Sequence, residues 1–178
     1  MTSVQGALWA VLAVALLISV VTDVVRRRIL DVVTWPLLAL ALGGRLVAEG
    51  VGGLETGLAS GAMSAVGLAL LLVPGALRGT MGWGDVKLMA GVGAVLGYPA
   101  VLAAAVFISL VGALQAVVTL LWQGAVWETL ADMGRRWAVR ARLMPPGTES
   151  GQRRHIPYGV AIALGTFWAM WWHYERLR

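Results

Sequence analysis

The chain has no cysteine, one lysine and two histidines, and only 13% of its 178 residues are charged, about half the share usual for a soluble domain. The absence of cysteine excludes a disulfide framework, a thiol nucleophile and any Cys-ligated zinc, and two histidines without an HExxH spacing leave little for a metal site. The shortage of charge excludes an ordinary water-soluble enzyme. What is abundant is apolar: 59% of the residues are hydrophobic and 23 are glycine. The excess of five positive charges is not a nucleic-acid footprint, because the arginines gather in joints between apolar runs and not on a soluble basic face.

Hydrocarbon is crossed by about 20 apolar residues in a helix, and six stretches of that kind are read at residues 4–25, 32–47, 58–77, 86–97, 101–122 and 156–172. The expectation is an all-α polytopic membrane protein, residues 1–178 forming one integral-membrane domain with about six transmembrane helices. The fourth stretch is short, and Tyr98-Pro99 predicts a tight turn into the fifth, giving a helical hairpin whose shorter arm is partly shielded by protein. No soluble domain, internal repeat or low-complexity tract is visible. Glycine and alanine supply the small residues that let membrane helices approach closely.

Arginine placement sets the expected orientation. Arg26, Arg27 and Arg28 follow the first stretch, Arg78 the third, and Arg135, Arg136, Arg140, Arg142, Arg153 and Arg154 the fifth. These are alternate joints, on one side. Arg45, Arg176 and Arg178 dissent from the other ten, so the N-terminus is expected outside and the Arg-rich joints in the cytoplasm. The first stretch is not a cleavable signal peptide, since its basic cluster follows the apolar run.

The joint over residues 123–155 contains Trp127, Leu130, Ala131, Gly134, Trp137, Ala138 and Ala141, at offsets of 3, 4, 7, 10, 11 and 14 from the first. That is a one-faced helix, expected in the cytoplasmic headgroup layer because basic residues oppose the tryptophans. A solvated helix packed on its own bundle is the alternative. Met144-Pro145-Pro146-Gly147 should end it. Trp168, Trp171 and Trp172 read as an outer-leaflet aromatic belt, Pro74 as a kink and Pro157 as a helix start.

Chemistry must be sought among polar residues that a membrane tolerates poorly, an Asp at mid-span costing about 2.5–3.5 kcal/mol on insertion scales. Asp23 closes the first stretch and Asp85 opens the fourth, at one expected depth; Asp31 reads as an N-cap for the second. Two carboxylates brought close share a proton, so that one takes a proton from water while the other protonates a carbonyl oxygen or leaving amine. In Met81-Gly82-Trp83-Gly84-Asp85-Val86-Lys87-Leu88, the glycines remove bulk beside the acid and permit positive φ, letting an extended peptide approach. Lys87 is positioned to snorkel to headgroups or to favour ionised Asp85. Each residue also has a plainer role open to it. Asp23 can pair locally with Arg26 or Arg27, Asp85 can cap a helix, and Gly82 and Gly84 can serve packing.

Gly82-Trp83-Gly84-Asp85 with Val86-Lys87-Leu88 resembles the GxGD-x-K-L signature of the type IV prepilin peptidases, integral-membrane aspartyl proteases. Asp23 before a basic cluster and Ile29 resembles their first catalytic region, and Arg154-His155-Ile156-Pro157-Tyr158-Gly159 a third element. Ile29-Leu30-Asp31 departs from the Ile-Pro-Asn common in that family. The resemblance implies Asp23 and Asp85 as the catalytic pair, Gly82, Gly84 and Lys87 at the substrate, and no metal or cofactor. It implies cleavage of a short prepilin or pseudopilin leader, after a Gly, on the cytoplasmic side of a bacterial inner membrane. Without cysteine and the CxxC-bearing cytoplasmic domain of larger members, the chain resembles the short Flp/Tad-type form, and methylation is not expected. The expected partners are the substrate helix and the lipid bilayer, with no nucleic acid; the oligomeric state is left open. His155 is given a juxtamembrane structural role. One rival is a non-enzymatic transporter or assembly subunit using the two Asp as a proton or cation relay, disfavoured by the absence of midplane acids and inverted repeats. Another is a GxGD protease of the presenilin or signal-peptide-peptidase kind, whose Pro-Ala-Leu element is missing.

Overall fold

The computed structural model describes residues 3–122, 124, 126–141 and 158–176, and within them the regular structure is helical. The helices are α1 (Ser3–Arg26), α2 (Asp31–Glu49), α3 (Gly57–Leu77), α4 (Trp83–Leu96), α5 (Ala100–Trp122), α6 (Val126–Arg140) and α7 (Tyr158–Arg176). By length and composition α1, α2, α3 and α5 can cross a membrane. Of the six expected spans, these four meet that standard among the described residues. At 14 residues, α4 is about 21 Å long and falls short of a hydrocarbon core. The second half of α7 dilutes its apolar start with Trp168, Trp171, Trp172, His173 and Tyr174.

Two compact units are present, residues 1–112 with 157–178, and residues 113–156. In the first, α4 lies inside the bundle and packs against α3, α2, α1 and α7. Ten of its 14 residues are buried, which is how a short, nearly uniformly apolar helix is kept from lipid. The α3–α4 approach is very close: a Cβ on Gly93 would lie 2.8 Å from the Ala65 Cα. Helix α1 buries one stripe, Leu8, Leu12, Ala15, Leu16, Ser19 and Asp23, the 3–4 residue period of a helix with one protein-facing side. Its other face presents Val14, Leu17, Val21 and Val24, as a lipid-facing surface would. Pro74 falls within the last turn of α3, and residues 97–99 make the turn expected between α4 and α5, with a cis Tyr98-Pro99 bond.

Arg45, a dissenter in the arginine pattern, is buried at 6% exposure. Its Nε donates to Ala94 O (2.8 Å), and its Nη2 donates to Val95 O (3.0 Å) and Leu96 O (2.9 Å). The guanidinium therefore caps the C-terminus of α4, where carbonyls lack helical partners and the helix dipole favours a cation. Glu49, 3.6 Å away, accompanies it and accepts the Gly57 N–H at 2.6 Å.

In the second unit, α6 forms within the long joint as expected, and Trp127 and Trp137 are both exposed. The expected helix stop at 144–147 and the residues Arg142, Arg153, Arg154, His155 and Pro157 lie outside the described residues.

Candidate active site

The α1–α2 joint and the start of α4 meet at one end of the bundle. Helix α1 stops where Arg27 enters the left-handed region (φ 52°) and donates its N–H to Asp23 O at 2.9 Å, a single-residue helix stop. The chain then turns so that Ile29 lies against Gly84. A Cβ on Gly84 would meet Ile29 Cβ at 2.9 Å and Ile29 O at 3.2 Å. Two residues on, the Asp31 carboxylate accepts from Lys87 Nζ at 2.7 Å, and Lys87 also sits 5.7 Å from the Trp35 ring centroid. These contacts bring Asp23, one turn before the joint, and Asp85, in the first turn of α4, to the same end.

Both acids are buried, Asp23 at 4% and Asp85 at 8% exposure. Asp23 does not form the local pair with Arg26 or Arg27 that its spacing allows; its Oδ2 accepts the Gly159 N–H at 2.8 Å, at the N-terminus of α7. A Cβ on residue 159 would lie 2.7 Å from Asp23 Oδ2 and 3.1 Å from Asp23 Cβ, so any larger residue there displaces the Asp23 carboxylate. Asp85 is the third residue of α4, not its N-cap, and its Oδ2 accepts from the N–H of the capping Gly82 at 3.1 Å. This is the return half of a capping box, since glycine has no side chain to supply the other half. Each carboxylate is thus held by a backbone N–H at a helix N-terminus, where the dipole favours negative charge.

Three expectations are corrected. Asp31 does not cap α2: the N-cap is Leu30, without a side-chain cap, and the Asp31 carboxylate is turned to Lys87 instead. The only lysine consequently has an acidic partner in the protein. Gly82 (φ −77°) and Gly84 are not among the positive-φ residues; what glycine provides here is space. At Gly84 that space is filled by Ile29, whereas a Cβ on Gly82 would meet little but Asp85 Oδ2, at 3.3 Å. Gly82 therefore leaves the space beside Asp85 Oδ2 free of a side chain of its own. Among the described residues no group of three His, Cys, Asp or Glu side chains is placed to hold a metal.

Gly159 was not singled out by residue chemistry, and its one sequence signal was its place in the Arg154–Gly159 element. The arrangement defines a class: a helical membrane protein with two buried carboxylates, each fixed by a helix N-terminus, at one end of the bundle. The family model for the type IV leader peptidase family matches residues 10–117, and the chain belongs to that family. The match contains Asp23, Asp85 and the glycines, while Gly159 lies beyond it. Nothing among curated proteins or solved structures matches the chain.

Proposed function

We propose that the protein is a membrane-embedded aspartic endopeptidase that removes the short leader of prepilins or pseudopilins on the cytoplasmic side of a bacterial inner membrane. The observation that carries this reading is the burial of Asp23 and Asp85 at one end of the bundle, in a chain of the leader peptidase family. One ionised carboxylate takes a proton from water as the water oxygen adds to the scissile carbonyl, and the other, protonated, gives its proton to the carbonyl oxygen. The tetrahedral intermediate collapses by breaking the C–N bond, and the amine leaves with a proton from the dyad. In this reading the substrate backbone passes over Gly82, which adds no side chain beside Asp85 Oδ2, and Lys87, paired with Asp31, borders the path. Ten of the 13 arginines fall in alternate joints, which supports an outside N-terminus and a site facing the cytoplasm.

The test is co-expression with a candidate prepilin, followed by gel mobility and N-terminal sequencing of the product. The reading expects a faster-migrating species that begins just after a Gly and is absent with Asp85→Asn. A prepilin that stays full length although both proteins are inserted would overturn it.

A further inference from the structure

One turn deeper along α1 than Asp23, on the same buried stripe, is Ser19, 1% exposed. Its Oγ is fully enclosed and has no hydrogen-bond partner. Hydroxyls elsewhere in these helices fold back onto their own backbone: Thr22 onto Ser19 O (3.1 Å), Thr119 onto Gln115 O (2.8 Å) and Thr166 onto Ile162 O (2.6 Å). Ser60 instead accepts the Tyr98 N–H at 3.0 Å. Ser19 does neither. A buried hydroxyl left unpaired is destabilising, and in native proteins such a group usually marks an internal water.

The next polar side chain on the same buried stripe, Asp23, offers such a water its second partner. Residues four apart on a helix lie one above the other on the same face, with Cβ atoms about 5–6 Å apart, so one water can reach both side chains. An ionised Asp accepts at about four sites, and the Gly159 N–H uses one of those on Oδ2 of Asp23. We propose that Ser19 and Asp23 hold one internal water between them, and that this water fixes the Asp23 carboxylate in the orientation cleavage requires. Ser19 donates to the water, and the water donates to the carboxylate. Gly159 and the water then restrain Asp23 together. Ser19 is a positioning residue that acts through Asp23, and the proposal rests on the peptidase reading.

Ser19→Ala separates this from an incidental orphan hydroxyl. The measurements are kcat and KM of the full-length, detergent-extracted protein on a synthetic peptide spanning a prepilin leader junction, with thermal stability measured on the same sample. The proposal expects kcat to fall about tenfold or more, the loss expected when the water's hydrogen bond to the ionised carboxylate is no longer held in place, with KM and stability little changed. An incidental hydroxyl predicts normal kcat and equal or higher stability, because an unsatisfied polar group has been removed; that result overturns the proposal. A fall in kcat matched by a fall in stability assigns the hydroxyl to packing and overturns it as well. Asp23→Asn on the same peptide distinguishes the two levels. If it still cleaves, the peptidase reading itself fails, whereas an inactive Asp23→Asn beside a normal Ser19→Ala removes only the water.

Discussion

Arg45→Met should loosen the C-terminus of α4 while keeping side-chain volume and helix propensity nearly constant. The carbonyls of Ala94, Val95 and Leu96 would ordinarily take the N–H groups of residues 98, 99 and 100 if the helix continued. The Tyr98 N–H is given to Ser60 Oγ, and Pro99 has none to give. Arg45 supplies what the chain cannot, through its bonds of 2.8, 3.0 and 2.9 Å. Leaving a buried acceptor unpaired costs about 1–3 kcal/mol, so three would cost about 3–9 kcal/mol if they were independent and dry. They share one guanidinium, water at the exposed Tyr98-Pro99 turn recovers part of the loss, and the cost of burying the cation is removed. The expected net destabilisation is about 3 kcal/mol, read from SDS titration of the protein in mixed micelles. Arg45→Lys should lose a large part of this too, because an ammonium on a flexible stem does not reproduce the planar fork. An Arg45→Met protein as stable as the parent would refute the assignment of Arg45 as the cap of α4.

Gly159→Ala places a methyl 2.7 Å from Asp23 Oδ2, so cleavage per unit of folded protein should fall at least tenfold; near-normal activity would detach α7 from the site. Gly84→Val drives into Ile29 and should lower folded abundance as well as activity, whereas an effect on KM alone would return Gly84 to direct substrate contact. Lys87→Met removes a partly exposed pair with Asp31, worth about 1 kcal/mol or less, so thermal stability should change little; a large drop would show that the pair holds the α1–α2 joint in place. Reporter fusions after Arg28, Arg78 and Arg142 should report cytoplasm, and one after Glu55 the outside; an outside signal at Arg142 would break the topology.

The helices were legible because apolar run length and turn residues are local signals: over its described residues each expected stretch lies on a helix, to within a few residues at the ends. The role of α4 was less so. Its brevity was visible, but whether a short apolar helix is shielded, and by which neighbours, depends on contacts with α3 and α2 distant in sequence. Arg45 shows the same limit. Counting charges treats it as an exception to a topology rule, yet its guanidinium is used inside the protein, 49 residues from the first carbonyl it meets. Asp23 and Asp85 stand out in the sequence because acids are costly in an apolar chain, and both are buried. Their partners do not stand out, since backbone N–H groups carry no residue signature: Gly159, 136 positions from Asp23, is recognisable only once α7 lies against α1. The position of Asp31 in sequence is that of a cap, and says nothing of the lysine that folding brings beside it.

Whether Asp23 and Asp85 act as one hydrolytic pair is tested most directly by the cleavage rate of the two single Asn variants. Asp→Asn preserves shape and adds no charge to the membrane, so both variants should insert and extract like the parent. Each should leave a co-reconstituted prepilin uncut, because either change removes half of the proton exchange. Substantial cleavage by Asp23→Asn and Asp85→Asn alike, measured per unit of folded protein, would contradict the aspartyl mechanism.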